Sequence, residues 1–276
     1  MVKFLQQFFA FYINSSIHVS LAVCALVGLT ALQLAIDLDR TLLFFVFFAT
    51  ITGYNFTKYA PVAKMHHRSL TPSLRLIQIF SLGCFMTMCY FGFQLSQKVI
   101  VVIIPFLVLT IGYVIPVFSG AKTLRTLPGF KIVVIAICWV GVTVLLPVIH
   151  HGILLSWDVV IVGIQRLLFV IAITIPFEIR DLHYDSTALK TVPQLIGVER
   201  SKKVGVAFLI ASVLLMVVLP DVSNYEVISM LIVLLIAIIF IVKTEVQQTR
   251  YFCAFWVESL PIMWWGIVVL CHVLFR

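Results

Sequence analysis

The sequence predicts an all-α integral membrane protein of about nine transmembrane helices, and three observations carry that prediction. Hydrophobic residues make up 62% of the chain and charged residues 11%, too little charge to cover a surface that faces water. The apolar residues are gathered into about nine windows near the roughly 20 residues that a helix needs to cross a bilayer. The basic residues fall mainly in alternate loops between those windows. No linker rich in Pro, Gly or Ser interrupts the pattern, so residues 1–276 read as a single transmembrane domain.

In chain order, the expected spans lie near 16–36, 41–59, 74–94, 99–118, 129–149, 158–177, 204–220, 225–243 and 254–274. The stretch before the first span is short, apolar and aromatic, with no small-residue cleavage site, and reads as an interfacial helix. Spans seven and eight are separated only by residues 220–225, a polar pair-forming turn rather than the middle of one long helix. Pro105, Pro116, Pro147 and Pro176 fall in or near helix ends, where prolines kink spans around a central cavity. Two longer polar loops, about 54–73 and about 178–203, follow even-numbered spans and therefore share one membrane face. A cavity opening on that face is the arrangement they describe.

Charge fixes the expected orientation. The net charge is +8. Lys58, Lys64, Arg68 and Arg75 follow span two; Lys122, Arg125 and Lys131 follow span four; Arg180, Lys190, Arg200, Lys202 and Lys203 follow span six. The other side holds Arg40 and Lys98 with the acids Asp37, Asp39, Asp158, Asp221 and Glu226. This is the positive-inside pattern, which places the amino terminus in the cytoplasm and the carboxyl terminus outside, in a cell (inner) membrane. The basic excess therefore answers to topology and anionic lipid, and not to nucleic acid.

One stretch gathers acids. Glu178, Asp181 and Asp185 stand at i, i+3 and i+7, so a helix continuing through them puts all three on one face, about 5–6 Å apart at Cβ for close pairs. Carboxylates that close repel one another and call for a cation, and a hard divalent ion bridging to phosphate is a common reason to build such a face. Lys190, Thr191, Pro193 and Gly197 follow. This segment resembles the second aspartate motif of the UbiA superfamily of intramembrane prenyltransferases, a DxxxD pattern followed by (K/R)T(L/V)P and a distal glycine. The likeness covers about 30 residues, and the span count and orientation agree with it.

The resemblance implies a UbiA-like fold in which two polar loops hold Mg²⁺ on the diphosphate of an isoprenoid donor, for transfer to a lipid-soluble acceptor of aromatic or quinone type. It would give Asp181 and Asp185 the metal, with Glu178 assisting. Lys58, Lys64, Arg68 and Lys190 would bind diphosphate, and Asn55 and Tyr59 would line the donor site. The loop after span two departs from the pattern. With Asn55 aligned to the family asparagine, Phe56, Tyr59 and Ala63 stand where that family's first motif has aspartates.

Two outcomes are compatible with that change of sign. Lysine and arginine could bind phosphate directly, leaving a prenyltransferase. Alternatively, Lys58 and Lys64 could pair with Asp181 and Asp185, leaving a non-catalytic isoprenoid-binding or structural protein on the same scaffold. Retention of the acids with Lys190 and Thr191 favours the first.

Other polar residues read as structural. The six cysteines lie within spans and form no CxxC pair. His66–His67 and His150–His151 fall on opposite faces, and His18 and His272 read as core histidines. Arg166 and Glu258 are ionisable groups within spans; both are expected outside the site.

Overall fold

Each of the nine apolar windows falls on a helical segment in the computed structural model, which describes residues 2–65, 72–116, 123–219 and 222–274. Among the described residues, six helical runs are long and apolar enough to cross a membrane: Leu74–Gly92, Gln97–Val114, Phe130–His150, Trp157–His183, Asn224–Val242 and Phe252–Val273. A bent pair of helices at the start makes a seventh. The shortfall from nine lies in two helices whose ends are polar. One carries Asn55 and Lys58 in its last turns, and the other opens on Glu199, Arg200, Lys202 and Lys203.

The bent pair is α1 (Val2–Asn14) and α2 (Ile17–Gln33), which meet at 53°. Ser15 and Ser16 occupy the break, with Ser16 in the left-handed region at φ 64°. Serine offers the backbone a local hydrogen-bonding alternative to the helix, which suits it to such a corner. The corner is then locked by Asn55 of α3 (Arg40–Met65). Ser16 Oγ donates to Asn55 Oδ1 at 2.8 Å. The Asn55 amide donates to Ser15 O at 3.0 Å and to Ser81 Oγ of α4 (Pro72–Gly92) at 2.8 Å. Asn55→Ala is therefore expected to destabilise the protein by about 2 kcal/mol, since buried partners are left unpaired. Thermal unfolding in detergent checks this, and an unchanged midpoint would contradict the lock.

α5 (Gln97–Val114) and α4 expose long apolar faces, including Ile79, Leu82, Met86 and Tyr90 on α4 and Val101, Ile104, Leu107 and Val108 on α5. In water such a patch would be an aggregation hazard; in a bilayer it is the lipid contact. α6 (Phe130–Val140) continues through a π-type stretch, Gly141–Leu145, into α7 (Leu146–His150). Pro147 has no N–H for the carbonyl of Thr143, so the hydrogen-bond ladder widens there. The same device recurs at Phe252–Val257, where Pro261, the second residue of α12 (Leu260–Leu274), has no N–H for the carbonyl of Val257.

α8 (Trp157–Arg180) is the central helix. Ser156 accepts from Val159 N–H at its start, and Asp158 and Arg180 complement the helix dipole at either end. It packs against α6, α10 (Val198–Leu214) and α11 (Asn224–Val242), burying Phe169, Val170, Ala172, Ile173 and Ile175. Gly205 lets α10 approach closely: a Cβ there would meet Ile175 Cδ1 at 3.1 Å and Ile241 Cδ1 at 3.2 Å.

α12 packs on α2 and α11 and brings the last described helix back to the first. His18 takes the carbonyl of Phe255 (Nε2, 3.0 Å), the hydroxyl of Ser259 (3.1 Å) and Tyr12 Oη (Nδ1, 2.7 Å). Phe9 packs edge-on to Tyr251 and Phe255. A loop between α9 (Val192–Ile196) and α8 completes the polar end of the bundle.

Candidate functional site

The acidic segment does not continue the helix. α8 ends at Arg180, Asp181–His183 forms one 3₁₀ turn, and Asp185 N–H donates to Asp181 O at 2.8 Å. The tighter turn brings Asp181 and Asp185 together all the same. Glu178 stays on α8, 1% exposed, where its Oε2 accepts Val192 N–H at 3.2 Å. Its Oε1 and the nearby Thr191 Oγ1 are buried without a hydrogen-bond partner among the described residues.

The residues after the acids hold the turn in shape. Ser186 Oγ accepts from Ala188 N–H, and Lys190 takes a left-handed φ of 45° to reverse the chain. Thr191 stands at the N-terminal boundary of α9, with Pro193 in its first turn where the missing N–H is no loss. Gln194 laces the loop: its Oε1 accepts Thr191 N–H, and its amide donates to Asp185 O at 3.2 Å and Ser186 O at 3.1 Å. Lys190 itself is exposed and makes no ion pair among the described residues.

The groups facing the acids are cationic, and one of them is Lys131, which the charge pattern assigned to topology alone. Gly129 adopts φ 75° and donates its N–H to Leu189 O at 3.0 Å, tying the start of α6 to the loop. Two residues on, Lys131 is 8% exposed, and its Nζ lies 2.6 Å from Asp185 Oδ2 and 3.5 Å from Asp181 Oδ2. Arg180 Nε donates to the other Asp181 oxygen, Oδ1, at 2.8 Å, with its guanidinium 5.1 Å from the Phe177 ring centre.

Two further charged groups stand on neighbouring elements, Glu258 on the turn leading into α12 and Lys58 near the end of α3. Lys58 Nζ lies 3.4 Å from Asn14 O, and Tyr59 Oη donates to that same carbonyl at 2.8 Å, so the end of α3 is stapled to the end of α1. Asn55 is spent on the α1–α2 corner described above.

Of the remaining expected residues, Lys64 belongs to α3, but its side chain lies outside the described residues, as do Arg68, His66 and His67 altogether. Arg166 is far from the acids along α8. It is fully buried, its Nη2 donates to Thr30 Oγ1 and Gln33 Oε1 at 3.3 Å each, and its guanidinium stacks 5.6 Å from the Trp264 ring centre.

Mg²⁺ does not fit the residues as they stand. One oxygen of each aspartate is held by Lys131, and the second oxygen of Asp181 by Arg180. Among the described residues, no three His, Cys, Asp or Glu side chains are grouped to hold a metal. Mg²⁺ demands near-octahedral oxygen coordination at 2.0–2.1 Å, and here an ammonium sits in the mouth of the acidic pair.

No protein-family model and no curated protein sequence matches this chain. Among solved structures it is similar to one described as giving insights into digeranylgeranylglyceryl phosphate synthase in membranes. The TM-score is 0.57 and the identity 14%, over 98% of this chain and 98% of that one. At that identity the likeness is one of fold, and it runs the length of both chains. This chain is an all-helical membrane protein with the fold of that solved synthase.

Proposed function

We propose that this chain is an intramembrane prenyltransferase that moves an isoprenyl group from a prenyl diphosphate to a lipid-soluble acceptor of aromatic or quinone type. The observation that carries the reading is the Arg180 guanidinium, held by Asp181 at the end of α8 with its terminal N–H groups unbonded among the described residues, in a fold that runs the length of both this chain and the solved digeranylgeranylglyceryl phosphate synthase. In the reaction the allylic C–O bond breaks and diphosphate departs with the electron pair. An electron-rich carbon of the acceptor attacks the resulting carbocation and then loses its proton. The chemical demand is to stabilise negative charge growing on the leaving group, and preorganised cations in a water-poor site do this best.

Arg180 supplies terminal N–H groups that make no hydrogen bond among the described residues, already aimed by its bond to Asp181. A guanidinium suits the fork geometry of phosphate oxygens. Lys58 adds a point charge, and exposed Lys190 adds another where the loop meets water. No step is assigned to Mg²⁺, whose donors are otherwise engaged.

A second reading, a non-catalytic isoprenoid-binding protein, is favoured by the closure of the acidic pair on Lys131. Purified protein in lipid nanodiscs, given radiolabelled geranylgeranyl diphosphate and a mixed quinone-precursor pool, separates the two. Formation of a labelled apolar product, reduced at least tenfold in Lys58→Gln and Arg180→Gln, is the expected result. Product formation indifferent to both substitutions would overturn the assigned roles. No product, with thermal protection by the same diphosphate, would establish the second reading; no product and no protection would remove both.

A further inference from the structure

We propose that Lys131 is a tethered cation, occupying the position between Asp181 and Asp185 that a divalent ion would otherwise take, so that this acidic turn works without metal. The inference rests on the reading above only for the anion that such a site would face. The placement of the cation rests on contacts within the chain.

A lysine at the start of an apolar helix has an inexpensive alternative, which is to extend along the helix and leave its ammonium in water. Lys131 does the opposite. It is 8% exposed, and a single Nζ meets Oδ2 of both aspartates. Two carboxylates from one turn converging on one cation is the geometry of a chelate, here filled by a side chain. The placement is also built in. Gly129, in a conformation that disfavours other residues, donates to Leu189 O and sets the start of α6 against the loop. Gln194 fixes the other side of the loop through Asp185 O.

Charge arithmetic agrees. Asp181 and Asp185 bring two negative charges, and Lys131 and Arg180 bring two positive ones, so the four contacting groups are neutral without further ions. A divalent ion entering here would have to expel Lys131 and leave a buried ammonium unpaired, which is strongly unfavourable. The loop after span two reinforces the point. Phe56, Tyr59 and Ala63 offer no carboxylate to a second cluster. Fixing a cation to the chain exchanges an ion that depends on solution concentration for one that is always present.

The test uses Mn²⁺, a paramagnetic substitute for Mg²⁺, with no isoprenoid added, so its outcome is independent of whether the protein transfers prenyl groups. Titrated by electron paramagnetic resonance in detergent, the wild-type protein is expected to leave the free-Mn²⁺ signal unchanged. Lys131→Gln is expected to open the site and take up a single Mn²⁺ per chain, and adding Asp185→Asn to that variant is expected to abolish the uptake. Lys131→Arg, which keeps the charge, is expected to leave the site closed. Wild-type protein that binds a Mn²⁺ lost in Asp185→Asn would overturn the proposal, whether or not the lysine variants fold. So would a folded Lys131→Gln protein, with native size-exclusion and circular-dichroism profiles, that binds none.

Discussion

Lys131→Met is expected to lower folding stability by about 3–5 kcal/mol, the cost of leaving a buried charge without its partner. Asp185 would keep a nearly buried carboxylate 2.6 Å from where the ammonium had been, and Asp181 would lose its contact to the same group. A thermal-unfolding midpoint lower by on the order of 10 °C in matched detergent is the corresponding signal. The double variant Lys131→Met with Asp185→Leu should lose less than the sum of the singles, because each substitution removes the other's stranded charge. Additive losses would show that the pair is not coupled. The cycle is informative because surface ion pairs, at about 0–1 kcal/mol, could not give such a coupling.

The second large effect concerns the π-type stretch after α6. A Cβ on Gly141 would lie 2.1 Å from Cζ and 2.2 Å from Cε1 of Phe106 on α5, so the ring would have to be displaced. Gly141→Val is expected to destabilise by about 3 kcal/mol or more, beyond the usual range for overpacking because a β-branched side chain adds two further carbons. Gly141→Ala should cost less, and Phe106→Leu should recover much of that loss by withdrawing the ring. Folded yield from membranes and the unfolding midpoint read both. A Gly141→Val protein as stable as the parent would mean that α5 and α6 lie further apart than described here.

Hydropathy made the helices legible, because the bilayer imposes one length on every span and leaves backbone groups no partner but their own helix. All nine windows correspond to helical segments, including the pair divided at 219–223. The acidic turn was legible as a motif, but its local form was not. Three acids at helical spacing look like one face, yet α8 stops at Arg180, and the pair is joined by a 3₁₀ turn and a lacing glutamine. Lys131 was invisible as a site residue because a basic residue beside a loop has a sufficient explanation in topology. Its partner is 54 positions away, and only tertiary structure connects them. Asn55 was singled out for its position in the loop pattern, whereas its hydrogen bonds belong to the corner at Ser15 and Ser16.

The contacts of His18 with Phe255 and Ser259 bear on the order in which the molecule is made. Helices enter the bilayer in the order of synthesis, and the lysine–aspartate turn needs only segments between residues 129 and 194, all of which are present before α11 exists. Phe255 and Ser259, which His18 contacts, arrive last, 237 and 241 residues after it. Biogenesis therefore delivers a finished acidic turn first and an open bundle second. A nascent chain halted before residue 252 would carry an intact ion pair and an unsealed seam between its first and later helices, the state in which quality-control proteases would meet it.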